Sequence, residues 1–269
     1  MLVDTHAHLQ SSEFRADLPE VIRRSRLAEV RHVVVVGTNP SDSAEAVGIA
    51  SRFPEAMATV GIHPSEADTV PLPSALDEIE RLAKQPRVVG IGEIGLDFYR
   101  HGGSARRQHE VLEAQLELAA RAGLPVVIHC RRALRQLGAT LGSWRERLPG
   151  GIMHCFPGGI EEARLFLRMG FLLGVGGTVT FPKSRLPDVL RRVGLDGVVL
   201  ETDCPYLAPV PRRGRRNEPS YLRFVAERIA SELGVSSSEV ESSTTENACR
   251  LFNLPVPPLA DGGPSDALT

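Results

Sequence analysis

The sequence predicts an α/β chain folded as a single-domain (β/α)8 TIM-type barrel over residues 1–253. Apolar, β-branched runs alternate with helix-periodic stretches from one end to the other, and there are eight such runs, the number that closes a parallel barrel. The runs are apolar on both sides of the pleat, which implies parallel pairing with both faces covered. A doubly wound open sheet is the alternative, but no GxGxxG-type loop follows the first strand.

The strands are expected at 1–8 (MLVDTHAH), 32–38 (HVVVVGT), 57–63 (MATVGIH), 88–97 (VVGIGEIGLD), 125–130 (PVVIHC), 151–156 (GIMHCF), 170–176 (GFLLGVG) and 197–203 (GVVLETD). Helices are expected between them. LPEVIRRSRLAEV has apolar spacing near 3.6, and SDSAEAVGIASRF opens with Ser41 as an N-cap after Pro40. SARRQHEVLEAQLELAARAG is the longest and stops at Gly123, with Pro125 just beyond. Further helices are expected at 131–141, 159–169, 184–193, 219–234 and 237–252. The tail 254–269 is rich in Pro, Gly and small polar residues and is expected to be loose.

Composition excludes several classes of protein. With 42% hydrophobic and 24% charged residues the chain reads as globular. No apolar run approaches the ~20 residues of a membrane helix, and the N-terminus lacks the basic stretch and apolar core of a signal peptide. A cytoplasmic monomer without membrane contact is the expectation. Cys130, Cys155, Cys204 and Cys249 form no CxxC pair and read as buried thiols in a reducing compartment. A net charge of -2 gives no global attraction to nucleic acid, so polyanion affinity would need a local patch. PRRGRRNEP, with Arg212, Arg213, Arg215 and Arg216, is the candidate.

Chemistry-bearing residues collect at the C-terminal ends of the expected strands, where barrel enzymes place their active sites. Alternation puts Asp4, His6 and His8 on one face of the first strand, with Val3, Thr5 and Ala7 on the other. His63, Glu93, His129, His154 and Asp203 occupy later strand ends, and Asp97 follows Glu93. Any one of them could be an ordinary hydrogen-bonded residue. Together, His6, His8, His129 and His154 with Glu93 and Asp203 would be costly to bury without a partner, and a divalent ion removes that cost. Six donors exceed the four of a structural zinc site and suit two ions with Glu93 as bridge. Such a pair activates water, and Asp203 can orient that water and accept its proton, so the reaction class is hydrolysis. Asp4 is expected either to fix a ring tautomer or to make a structural hydrogen bond. Tyr206 and Phe98 could stack on bases or pack the rim.

DTHAHL, GIHP, GEIGLDFY, IHCRRA, HCF and ETDCPYLAPVPRRGRRNEP resemble the signatures of the TatD family of metal-dependent deoxyribonucleases, over residues 2 to about 252. The resemblance implies a barrel with two divalent ions and 3′-to-5′ exonuclease or related phosphodiesterase activity on DNA ends or single strands. It assigns His6, His8, Glu93 and Asp203 to one ion and Glu93, His129 and His154 to the other. It further implies that His63, Arg131 and the 212–217 loop meet substrate phosphates. Arg213, Arg215 and Arg216 suit that role because guanidinium binds phosphate through paired hydrogen bonds. Magnesium or manganese is expected for activity, and the histidine-rich set also accommodates zinc or nickel. The chain departs from the family pattern at Ser65, where a second histidine is common, and at Arg132, where an acidic residue is common. The alternative function is hydrolysis of another ester or amide on the same scaffold, such as the ester at the 3′ end of charged tRNA.

Overall fold

A computed structural model of the chain describes residues 1–100 and 104–255. One sheet holds eight strands in chain order: β1 (Leu2–Ala7), β2 (Val30–Val36), β3 (Ala56–Val60), β4 (Val88–Asp97), β5 (Val126–Arg131), β6 (Gly151–Met153), β7 (Phe171–Val175) and β8 (Val198–Leu200). Each is parallel to its neighbour. The sheet closes on itself through the segment after β8. Ala7 bridges Cys204, the His8 N–H donates to the Cys204 carbonyl at 2.8 Å, and the Asp203 N–H donates to the His6 carbonyl at 2.9 Å. The result is a single-domain (β/α)8 TIM barrel.

The helices are α1 (Leu18–Leu27), α2 (Pro40–Arg52), α3 (Leu72–Ala83), α4 (Ala105–Ala122), α5 (Leu134–Trp144), α6 (Ile160–Arg168), α7 (Leu186–Val193), α8 (Leu222–Leu233) and α9 (Ser237–Phe252). The sequence pattern left α3 unassigned. Its buried Ala75, Ile79 and Leu82 do recur at helical spacing, but two prolines at its start disguise the onset. The N-cap of α2 is Asn39, whose side chain accepts from the Asp42 N–H; Pro40 takes the first helical position, and Ser41 is not the cap. α5 begins three residues later than expected because β5 runs on to Arg131. Gly123 ends α4 with a left-handed φ of 64°, as its place before Pro125 predicts.

α9 makes the barrel one-ended. Phe252 packs among Val3, Val34, Val127, Ile152 and Val199 of five strands. The Asn247 amide donates to the Leu195 and Val198 carbonyls at 2.8 and 2.9 Å, and the Thr245 hydroxyl donates to the Met1 carbonyl at 3.0 Å. These partners lie at the N-terminal ends of β8 and β1, so α9 forms a floor and leaves the opposite end open. Leu254, expected in the loose tail, packs against this cluster, and its N–H donates to the Cys249 carbonyl at 2.9 Å. Residues 256–269 of that tail lie outside the described residues.

Candidate metal centre

The open end of the barrel gathers the predicted side chains. His6 lies in β1 and His8 just past it, Glu93 in β4 and His129 in β5. Three strands stop three residues earlier than expected. β3, β6 and β8 end at Val60, Met153 and Leu200, so His63, His154 and Asp203 sit on the loops that follow. Beyond the strand ends the backbone turns at Asp203, whose φ of 56° is left-handed, and at Cys155, whose φ is 44°. Those turns aim His154 and Asp203 across the mouth instead of along a strand.

Glu93 is the centre of the cluster and only 4% exposed. Its Oε2 lies 3.4 Å from His6 Nε2 and 3.7 Å from His8 Nε2, while its Oε1 lies 2.7 Å from His129 Nδ1 and 3.6 Å from His63 Nε2. Asp203 Oδ1 stands 3.4 Å from His8 Nε2 and 3.8 Å from His154 Nε2. Three sets of donor atoms are close enough to share an ion: His6 with His8 and Asp203, His6 with Glu93 and His154, and His63 with Glu93 and His129. This division differs from the one the resemblance implies, since His154 groups with His6 and not with His129. The reason is local: the His6 and His154 rings stack at 3.5 Å between centroids, 20° from parallel.

Hydrogen bonds orient several rings. His8 Nδ1 faces the Val36 carbonyl at 3.0 Å, a bond that needs a proton on Nδ1 and leaves Nε2 as a donor atom for an ion. His63 is the reverse. Its Nδ1 accepts from the Ser65 N–H at 3.0 Å, so the proton of the neutral ring sits on Nε2. Burial pulls the His63 pKa down to about 4, so that neutral form prevails. His63 therefore offers an N–H to the mouth, which suits a phosphate oxygen better than an ion. The Ser65 hydroxyl also lies 2.7 Å from Nδ1.

Two carboxylates that sequence reasoning left without a role stand behind the histidines. Asp97 Oδ2 lies 3.2 Å from His129 Nε2, and the fully buried Glu201 places Oε2 3.1 Å from His154 Nδ1 while Oε1 accepts the Cys155 N–H at 2.6 Å. Glu201 precedes Asp203 by two residues in an apolar strand, so the alternation that singled out Asp203 could have found it.

Burial alone would raise the Glu93 carboxyl, but His63, His129 and His6 around it outweigh burial and hold it well below the usual range. Burial likewise opposes the charge on His154, yet Glu201, Asp203 and Glu93 push its pKa up to about 10. The cluster thus favours positive charge, and among the described residues buried His6 Nδ1 has no hydrogen-bond partner. Neutral imidazole nitrogens and ionised carboxylate oxygens converging in this way fit a divalent cation.

The remaining expectations divide. Arg131 lines the central cavity, of about 660 Å3, together with Arg100 and Tyr206. Arg213, Arg215 and Arg216 do not line it. Arg213 lies over the Phe181 ring at 3.8 Å and Arg215 is exposed on the loop. Arg216 turns to Asp17, which takes both its terminal nitrogens at 2.9 and 2.7 Å, and covers the Phe14 ring, so its charge is already neutralised. Asp4 has the structural role. It accepts the Thr202 N–H and hydroxyl at 2.9 and 2.6 Å and so ties β1 to the segment that closes the barrel. Phe98 is half-buried and packs beside His109. The four cysteines are free.

The chain is 40% identical over 255 residues to the uncharacterized metal-dependent hydrolase YabD of Bacillus subtilis, covering 94% of this chain and all of that one. It is 36% identical over 260 residues to the 3′-5′ ssDNA/RNA exonuclease TatD of Edwardsiella piscicida, again covering 94% of this chain and all of the relative. Its fold matches the crystal structure of YJJV, a TatD homologue from Escherichia coli K12, with a TM-score of 0.89 at 30% identity, covering 94% of this chain and 98% of that one. Residues 3–253 match the family model described as TatD related DNase. The chain belongs to the TatD-related DNase family of metal-dependent hydrolases.

Proposed function

We propose that this protein is a two-metal phosphodiester hydrolase that removes nucleotides from the 3′ ends of single-stranded nucleic acid. The observation that carries this reading is Glu93, one carboxylate with His6 and His8 near one oxygen and His129 at the other. The relatives named 3′-5′ ssDNA/RNA exonuclease support the substrate class.

Glu93 would be shared between the ions, with His6, His8, His154 and Asp203 completing the set on one side and His129 serving the other. The His129 side has fewer donors, so an ion there would be held more weakly. The chemistry supplied there by bound divalent ions is activation of water and neutralisation of charge on the phosphodiester. Asp203 orients the attacking water and accepts its proton, its carboxylate form being favoured by His8, His154 and His6 over the opposing effect of burial. His63 donates its Nε2–H to a phosphate oxygen, and Arg131 holds the strand at the cavity wall. The open, one-sided mouth admits a strand end.

The test is release of nucleotides from the 3′ end of a single-stranded oligonucleotide with magnesium or manganese, with metal content measured on the same samples. Glu93→Gln should lose bound metal and activity together, whereas Asp203→Asn should lose activity by about a hundredfold or more. No release by wild-type protein with its metals bound would overturn the nuclease reading and turn attention to ester substrates.

A further inference from the structure

A cationic cluster at the rim of the mouth goes beyond the chemistry derived so far. β4 and β5 stay paired to their ends, with Asp97 opposite Arg131, and the Phe98 N–H then donates to the Arg131 carbonyl at 2.9 Å. Asp97 Oδ1 accepts the N–H groups of Tyr99 and Arg100 at 2.8 and 2.9 Å and so fixes the turn that follows. That turn sets Tyr99 against two guanidiniums. Their central carbons lie 4.0 Å (Arg131) and 4.6 Å (Arg132) from the centre of its ring. Arg100 lines the cavity from the same turn.

These arginines lack counter-charges. Many arginines of this chain pair with a carboxylate, as Arg81 does with Glu78, Arg121 with Glu80 and Arg147 with Glu117. Among the described residues none stands within ion-pair distance of Arg100, Arg131 or Arg132. Asp97 lies opposite Arg131 in the ladder, but its oxygens are taken by two backbone N–H groups and by His129. Arg132 is moreover held at a φ of 56°, a left-handed conformation uncommon for arginine. Like charges pinned together on one ring repel, and an anion between them would remove the repulsion.

The chemistry of that anion follows from its surroundings. The planar guanidinium fork matches phosphate oxygens. Tyr99, 51% exposed, and Tyr206, 55% exposed at the cavity, are the large exposed aromatics here, and unpaired bases stack on such rings. We infer that Tyr99, Arg100, Arg131 and Arg132 form a subsite for a phosphodiester group neighbouring the one that is cleaved, and that Arg132 sets a preference for strands over small diesters. The inference rests on the nuclease reading above. Arg132, a departure from the family pattern, thereby gains a specific role.

The test compares wild type with Arg132→Asn, asparagine being a residue that tolerates the left-handed backbone. The substrates are a short single-stranded oligonucleotide and bis(p-nitrophenyl) phosphate, a diester with no second phosphate to place in the subsite. For the oligonucleotide, KM should rise about tenfold with kcat unchanged, the loss expected of one charge-assisted contact. The slope of log affinity against log salt should shrink by about 0.7, one phosphate contact on a single strand. KM for the small diester should not move, and bound metal should match wild type. Tyr99→Leu, which removes the ring that holds both guanidiniums, should act in the same direction. Equal oligonucleotide KM and salt slope in wild type and Arg132→Asn would overturn the subsite while leaving the nuclease reading intact. A wild type that hydrolyses the small diester but neither binds nor cleaves the strand would overturn the nuclease reading, and the subsite with it.

Discussion

At the scale of single residues, the mouth separates histidines that can give a lone pair to an ion from one that presents a proton. His63 is the latter, because the Ser65 N–H occupies its Nδ1. His63→Ala should therefore lower kcat/KM by about ten- to a hundredfold while bound metal stays at the wild-type level, a combination read by metal analysis beside kinetics. A matching loss of metal would show His63 to be a ligand after all. The candidate donors were legible in the sequence because a polar side chain at the end of an apolar strand is conspicuous. What stayed hidden was partner choice. Arg216 looks free in PRRGRRNEP, yet its carboxylate, Asp17, is 199 residues away in the chain. Nothing local announces such a pair.

Elements are legible where period and punctuation agree, as in α4 with Ser104 at its start and Gly123 at its end. They are hidden where prolines blur an onset, as in α3, or where the chain leaves the strand before its polar end, as after β6 and β8. α9 was expected as a helix, but its task as the barrel floor shows only in three dimensions. Phe252 is 4% exposed and packs on five strands at once. Phe252→Ala should cost about 3–5 kcal/mol in urea unfolding, the usual cost of emptying such a position. The donor cluster lies at the other end of the barrel, so the folded variant should keep its metal and its specific activity at low temperature. Loss of metal from the folded variant would mean that floor and mouth are coupled.

For the whole molecule, the barrel was predictable from the count and spacing of its strand–helix units, because that repeat is written along the chain. Its seam was not, because closure relies on Cys204 and Asp203 beyond the eighth strand. The donor cluster is also a feature of the whole molecule, since it draws on β1, β4, β5 and the loops after β6 and β8. An ion bound there binds only the closed barrel. At a hundred times its dissociation constant, such an ion adds about 2.7 kcal/mol of stability, or roughly 5–10 °C in melting temperature for a chain of this size. Manganese or zinc should raise the melting temperature of the chelator-treated wild type by that order. Glu93→Gln should show little response, and an equal rise in both proteins would place the binding elsewhere.

The seam has a consequence for how the protein comes into being on the ribosome. His6 and His8 are made long before Asp203, and the Asp4 carboxylate waits for Thr202, 198 residues later, with Asp203 following directly. A nascent chain that has not reached Asp203 lacks the full donor set. The same hydrogen bonds, His8 to Cys204 and Asp203 to His6, complete the wall and bring Asp203 to the histidines. On the nuclease reading proposed above, the chain is thus inert until Asp203 has been made and the barrel has closed on it.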